Sequence, residues 1–164
     1  KKVQSPVVDT AAKDYMRLLN ANSYEKGGWV LHMLRRDLGD SVFWKGIRNY
    51  YAEYAGKNAM TGDFMKVMED VSGKDLKQFF HQWLYVPGHP VLKTTRRYDS
   101  NKKQLHITIV QQQPVAFEFP LTIEVNGVNK NIQVKEKATT IIVDMKSPPS
   151  SIILDPNCDL LFDN

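Results

Sequence analysis

The sequence predicts a chain in two parts, a helical bundle followed by a small antiparallel β-sandwich. Up to about residue 86, apolar residues recur with helical spacing, and beyond it they alternate or form short β-branched runs. The stretch 86–90, VPGHP, marks the change with proline and glycine. Asn126-Gly127 lies between two apolar runs, which is typical of a two-residue hairpin. We therefore expect a helical domain at residues 1–88 and a β-sandwich domain at residues 89–164.

Five helices are expected in the first part. Four of the starts are marked by a residue whose side chain can accept from free backbone amides, and two ends are marked by glycine. The first is expected near residues 11–20, with Tyr15, Leu18 and Leu19 on one face. The predicted starts of the others are Ser23, Asp40, Thr61 and Asp75, and the predicted stops are Gly39 and Gly73. The helix from Ser23 to Leu38 is apolar nearly all round, so it should be central.

Short strands are expected throughout the second part, and about six of them fit a small sandwich. They are predicted at residues 105–110, 116–119, 121–125, 128–134, 139–143 and 152–154.

Composition excludes several classes of function. The 164 residues are 42% hydrophobic and carry a net charge of +4, which is typical of a globular protein. The basic residues are spread along the chain without interleaved aromatic residues, so nucleic-acid binding is not expected. No apolar run approaches the roughly 18 residues of a membrane span. The sequence begins with Lys1 instead of methionine, and we expect it to continue a longer gene product.

Metal and cofactor sites are not expected in this chain. Its four histidines, His32, His81, His89 and His106, are never four residues apart, so no HExxH pair exists. The single cysteine, Cys158, excludes both an internal disulfide and a cysteine zinc cluster. Glycine-rich phosphate loops and GxSxG nucleophile motifs are also absent.

Tyr24 is the candidate catalytic residue. It lies in the stretch 23–28, SYEKGG, at the start of an apolar helix where glycine would weaken the first turn. Gly27 and Gly28 leave room for a second backbone or a ligand. A tyrosine hydroxyl placed there is a neutral donor that can stabilise a developing oxyanion. The alternative is ordinary packing of a tyrosine at a boundary.

Three stretches resemble the M1 family of zinc aminopeptidases, which are gluzincins. They read SYEKGGWVLHMLRRDLGD, FWKGIRNYYAEYAGKNAMTGDFMKVMEDVSGKDL and FFHQWLYVPGHP, and they cover roughly residues 10 to 90. The resemblance implies that residues 1–88 form the second half of a thermolysin-like catalytic domain. It also implies that Tyr24 donates to the tetrahedral oxyanion, and that the tail is the β-sandwich that follows the catalytic domain in many members.

The HExxH motif, its downstream glutamate and the GxMEN motif of that family do not occur in this sequence. The resemblance therefore implies a fragment that binds no zinc and is inactive alone. The zinc, the peptide substrate and the missing N-terminal catalytic half would belong to the full-length parent, which removes N-terminal residues from peptides. The alternative is a non-catalytic scaffold or interaction module with the same fold. If the missing half packs on the central helix, some of Trp29, Val30 and Met33 should be exposed or covered by a neighbouring chain.

Overall fold

The computed structural model describes residues 5–11, Met16 and 22–164. The chain divides into two compact units, Lys1–Gly88 and His89–Asn164. The helix expected near residues 11–20 lies outside the described residues apart from Ala11 and Met16.

Helices make up the first unit. Its described residues form α1 (Gly27–Leu38), α2 (Asp40–Tyr54), α3 (Thr61–Ser72) and α4 (Lys77–Phe80), with π-helical turns at Asn22–Lys26 and His81–Tyr85. Apolar side chains from the four helices and the second π-helical turn form the core, among them Val30, Leu34, Phe43, Met68, Phe80 and Trp83. None of the helices in the described part of the chain is long and apolar enough to cross a bilayer.

The predicted helix ends are confirmed. Gly39 has a φ of 79° and donates its N–H to Arg35 O, and Gly73 has a φ of 68° and donates to Glu69 O. Glycine suits both positions because it has no Cβ to clash in the left-handed region.

α2 and α3 begin at the predicted residues, Asp40 and Thr61, but the side chains of Ser23, Asp40 and Thr61 do not cap their helices as predicted. Ser23 lies inside the first π-helical turn, because the chain is already helical from Asn22. Asp40 is the first residue of α2, and its carboxylate accepts from Arg35 Nε and Nη2, at 2.8 Å each, instead of capping the helix.

At α3 the carboxylate of Asp63, not Thr61, accepts from the Met60 N–H at 2.8 Å. Asp75 caps as predicted, since its Oδ1 accepts from the Lys77 N–H at 2.9 Å. Sequence patterns located the helix starts within a few residues. Neighbouring side chains decided which oxygen accepts a hydrogen bond from the backbone amides at each start.

The expectation of exposed apolar residues on α1 is wrong for Val30 and Met33, which are both buried. Trp29 is half-buried. The reason is that α1 packs against α2 and the second π-helical turn, which cover the face that carries Val30 and Met33.

The second unit contains two antiparallel sheets. Its strands are β1 (Leu92–Asp99), β2 (Gln104–Gln111), β3 (Phe119–Val125), β4 (Val128–Val134), β5 (Ala138–Asp144) and β6 (Ile152–Leu154). The strand order is β1-β2-β5 in one sheet and β4-β3-β6 in the other. Alternate residues of β2 and β3 are buried, so each sheet has one apolar face.

The Asn-Gly hairpin is confirmed. β3 pairs with β4 from Val125↔Val128 outward, and the two loop residues, Asn126 and Gly127, have φ of 50° and 79°. Both loop positions of this turn type need positive φ, which is why the Asn-Gly pair was a strong signal.

Two strand assignments differ from the prediction. β1 was not expected, because it lies at the edge of its sheet and most of its side chains are polar and exposed. The strand expected at residues 116–119 begins only at Phe119. The backbone of Phe117 is bound by the Gln111 side chain instead, with its N–H donating to Oε1 at 2.9 Å and its carbonyl accepting from Nε2 at 2.8 Å.

The burial pattern of the first sheet predicts the effect of two matched truncations. Ile107 on β2 is fully buried, whereas Ile142 on β5 is 56% exposed. We expect Ile107→Ala to lower the free energy of unfolding by about 2–5 kcal/mol, because it leaves a cavity. Ile142→Ala should cost less than about 1 kcal/mol. Urea denaturation of the two variants measures the difference, and equal losses would contradict the assigned strand faces.

Candidate functional site

The site is built on the π-helical turn Asn22–Lys26, which runs directly into α1. Lys26, the residue before α1, is itself helical, with φ −66° and ψ −38°, and α1 has no side-chain cap. Single π-helical turns are rare and often occur at functional sites. The sequence suggested a capped helix start at this point. The structure instead has a continuous helix with one irregular turn.

Tyr24 projects from this turn into solvent. The residue is 69% exposed, and none of the described residues provides a hydrogen-bond partner for its hydroxyl. Within the described part of the chain, the packing interpretation of Tyr24 therefore does not fit. An exposed phenol without a partner is free to donate to a group that approaches from outside.

The surface beside Tyr24 is open. Gly28 and Leu31 lie three residues apart on one face of α1, and Tyr24 lies in the π-helical turn that leads directly into this helix. A Cβ added at Gly28 would meet nothing within 4 Å, and Leu31 is 43% exposed. A bulky group could approach Tyr24 along this face without displacing a described side chain.

An apolar cavity of about 330 Å³ lies on the first unit beside this face. Its lining includes Gly27, Leu31, Tyr50, Met60 and Phe64, and no charged residue. Such a lining suits apolar groups, and Tyr50 and Thr61 are its residues with hydroxyl groups.

Lys26 is the residue of this site that sequence reasoning missed. It is only 6% exposed, and its Nζ donates to Gly88 O at 2.6 Å and to Val86 O at 3.2 Å. Burial lowers the pKa of the Lys26 ammonium to about 8, because desolvation penalises the charged form. A lysine two residues after an exposed tyrosine gave no signal of burial, since its acceptors lie 60 and 62 residues further along the chain.

The histidines do not assemble into a site. His32 packs edge-on against Trp29, with ring centroids 5.5 Å apart, and His81 stacks on Tyr85 at 6.2 Å. Neither His89 nor His106 is in the first unit. The described residues contain no group of three or more histidines, cysteines or carboxylates that could hold a metal ion. A zinc ion therefore does not fit the described part of this chain.

Known proteins match this sequence and this fold. The model of the peptidase family M1 domain matches residues 1–83, half of the 164-residue chain. Aminopeptidase N of Lactococcus lactis subsp. lactis is 33% identical over 130 residues, which cover 76% of this chain and 15% of that protein. Probable aminopeptidase 1 of Sulfurisphaera tokodaii is 30% identical over 127 residues, which cover 76% of this chain and 15% of that protein.

A solved structure, that of Legionella pneumophila aminopeptidase A in complex with aspartic acid, has the same fold. It superposes with a TM-score of 0.79 at 18% identity, over 99% of this chain and 20% of that one. This chain thus spans about 15% of the length of the two curated relatives. Because the family model matches half of the sequence and a relative is 33% identical over most of it, the chain belongs to peptidase family M1.

Proposed function

We propose that this chain is part of an aminopeptidase, and that Tyr24 donates a hydrogen bond to the oxyanion formed during hydrolysis of the first peptide bond. The observation that carries the proposal is the exposed Tyr24 hydroxyl, which has no partner among the described residues. The names of the matched relatives, all aminopeptidases, favour this proposal over a scaffold without chemistry.

The two units have separate roles in this proposal. The first is the second half of a thermolysin-like catalytic domain, and the second is a β-sandwich at residues 89–164. Two sheets that each have one apolar face support the sandwich, because those faces are best buried against each other.

The chemistry of Tyr24 follows from its hydroxyl. When water adds to a peptide carbonyl, negative charge develops on the carbonyl oxygen. A hydroxyl already aimed at that oxygen stabilises the transition state more than the ground state. The open face at Gly28 would let a peptide backbone come close enough for that bond.

Family M1 is in general zinc-dependent. Since the described residues do not assemble a metal site, we propose that the zinc ligands belong to the remainder of the full-length protein. On this proposal the chain is inactive alone, and its partners are that remainder and the peptide substrate.

Removal of the Tyr24 hydroxyl tests the proposal. In the full-length protein, we expect Tyr24→Phe to lower kcat by roughly 10²–10³ with little change in KM, because the bond forms only in the transition state. Steady-state kinetics on a panel of aminoacyl-p-nitroanilides measures this. Tyr51→Phe is the matched control, since Tyr51 is also exposed, at 74%, and lies on α2. Unchanged turnover in Tyr24→Phe would remove Tyr24 from the mechanism.

Adding a methyl group at Gly28 tests whether the peptide substrate lies on the open face. The new Cβ meets nothing within 4 Å, so Gly28→Ala should raise helix stability by up to about 1 kcal/mol. If a peptide lies on this face, the same variant should lower kcat/KM about tenfold by displacing it.

Gly62→Ala on α3 is the matched control, because a Cβ there also meets nothing within 4 Å. It should gain stability without losing activity. Full activity of Gly28→Ala would show that the face beside Tyr24 is not a substrate surface.

A further inference from the structure

Lys26 is buried where a lysine is least expected. Lysine side chains are seldom buried unless a partner compensates the charge, yet Lys26 is only 6% exposed. Tyr24 and Glu25, in the same π-helical turn, are exposed. The turn thus directs one cation inward and the tyrosine hydroxyl outward.

The partners of this ammonium are backbone carbonyls. Gly88 O accepts at 2.6 Å and Val86 O at 3.2 Å, and none of the described carboxylates pairs with Lys26. Two peptide dipoles compensate a buried charge less fully than a carboxylate would, so this arrangement costs stability instead of adding to it. A hydrophobic residue of similar length would fill the site at lower cost.

The acceptor segment is itself shaped for this contact. Val86 follows the π-helical turn His81–Tyr85 directly, and Gly88 has a φ of 80°. That conformation is strained for any residue with a Cβ. A substitution at Gly88 that changes this φ would displace the Gly88 carbonyl and break the shorter of the two hydrogen bonds.

The contact joins the turn that carries Tyr24 to a segment 60 to 62 residues further along the chain. The tyrosine side chain has no bond of its own among the described residues, so the location of its hydroxyl depends on the backbone of the turn. Lys26 connects that turn to a distant segment through two hydrogen bonds.

We propose that Lys26 is a positioning residue, whose ammonium binds the carbonyls of Val86 and Gly88 and thereby holds the turn that aims the Tyr24 hydroxyl. The inference rests on the proposed role of Tyr24 and deepens it.

A double-mutant cycle in the full-length protein tests the inference. We expect Lys26→Met to lower kcat at least tenfold, with KM changed less than threefold, because small displacements of a catalytic group are costly. In a Tyr24→Phe background the same substitution should lower kcat less than twofold, since no hydroxyl remains to be positioned. Lys45→Met, at an exposed lysine of α2, is the control and should leave kcat unchanged.

Each result has one meaning. An equal fall of kcat in both backgrounds would show that Lys26 acts independently of Tyr24 and would overturn the inference. Wild-type kcat in Lys26→Met would overturn it as well, while leaving the role of Tyr24 intact. Wild-type kcat in Tyr24→Phe would instead overturn the proposed function itself.

A second variant perturbs the acceptor without changing the lysine. In Gly88→Ala the added Cβ meets nothing within 4 Å, but alanine disfavours the positive φ of this position. Gly56→Ala is the matched control, because Gly56 has a φ of 74° and a Cβ there also meets nothing within 4 Å. We expect Gly88→Ala to lower kcat several-fold and to speed hydrogen exchange in peptides covering residues 22–28. Gly56→Ala should do neither, and equal effects of the two would contradict the inference.

Discussion

The burial of one face of α1 is the constraint on which the candidate site depends. Val30, Met33 and Leu34 are all buried, and α1 packs against α2 and the second π-helical turn. With that face fixed, helical geometry leaves the face of Gly28 and Leu31 turned outward. Tyr24 lies in the irregular turn just before this helix and is 69% exposed, so its accessibility depends on the conformation of that turn.

Lys26 adds a second constraint of a different kind. Hydrophobic packing orients α1 about its axis, but it does not determine where an irregular turn before the helix will lie. A charged donor with two distant acceptors restricts it, because a desolvated ammonium is strongly attracted to the carbonyl oxygens of Val86 and Gly88. The desolvation that lowers the pKa of Lys26 to about 8 is the cost of this arrangement. A residue kept at a cost to stability is more simply explained by function than by folding.

In the second unit, one side chain makes backbone hydrogen bonds that a neighbouring strand would otherwise make. Gln111 is buried, and its amide satisfies the backbone of Phe117 in both directions. It also donates to Glu136 O at 2.9 Å, so one side chain holds two loops of this unit. Buried backbone groups require partners, but nothing requires those partners to be a neighbouring strand.

Much of this protein was determined by local sequence. The change from helical to alternating periodicity, the glycine stops at Gly39 and Gly73 and the Asn126-Gly127 turn each depend on residues close in the chain, and each was predicted correctly. Tyr24 was also singled out from its sequence, through the two glycines that follow. Only the tertiary structure decided the rest: the capping acceptors, the edge strand β1, the coil at Phe117 and the burial of Lys26. The partners of Asp40, Asp63 and Phe117 lie within six residues, and those of Lys26 lie 60 and 62 residues away. In each case several partners were chemically possible, and the residue alone does not specify which one it binds.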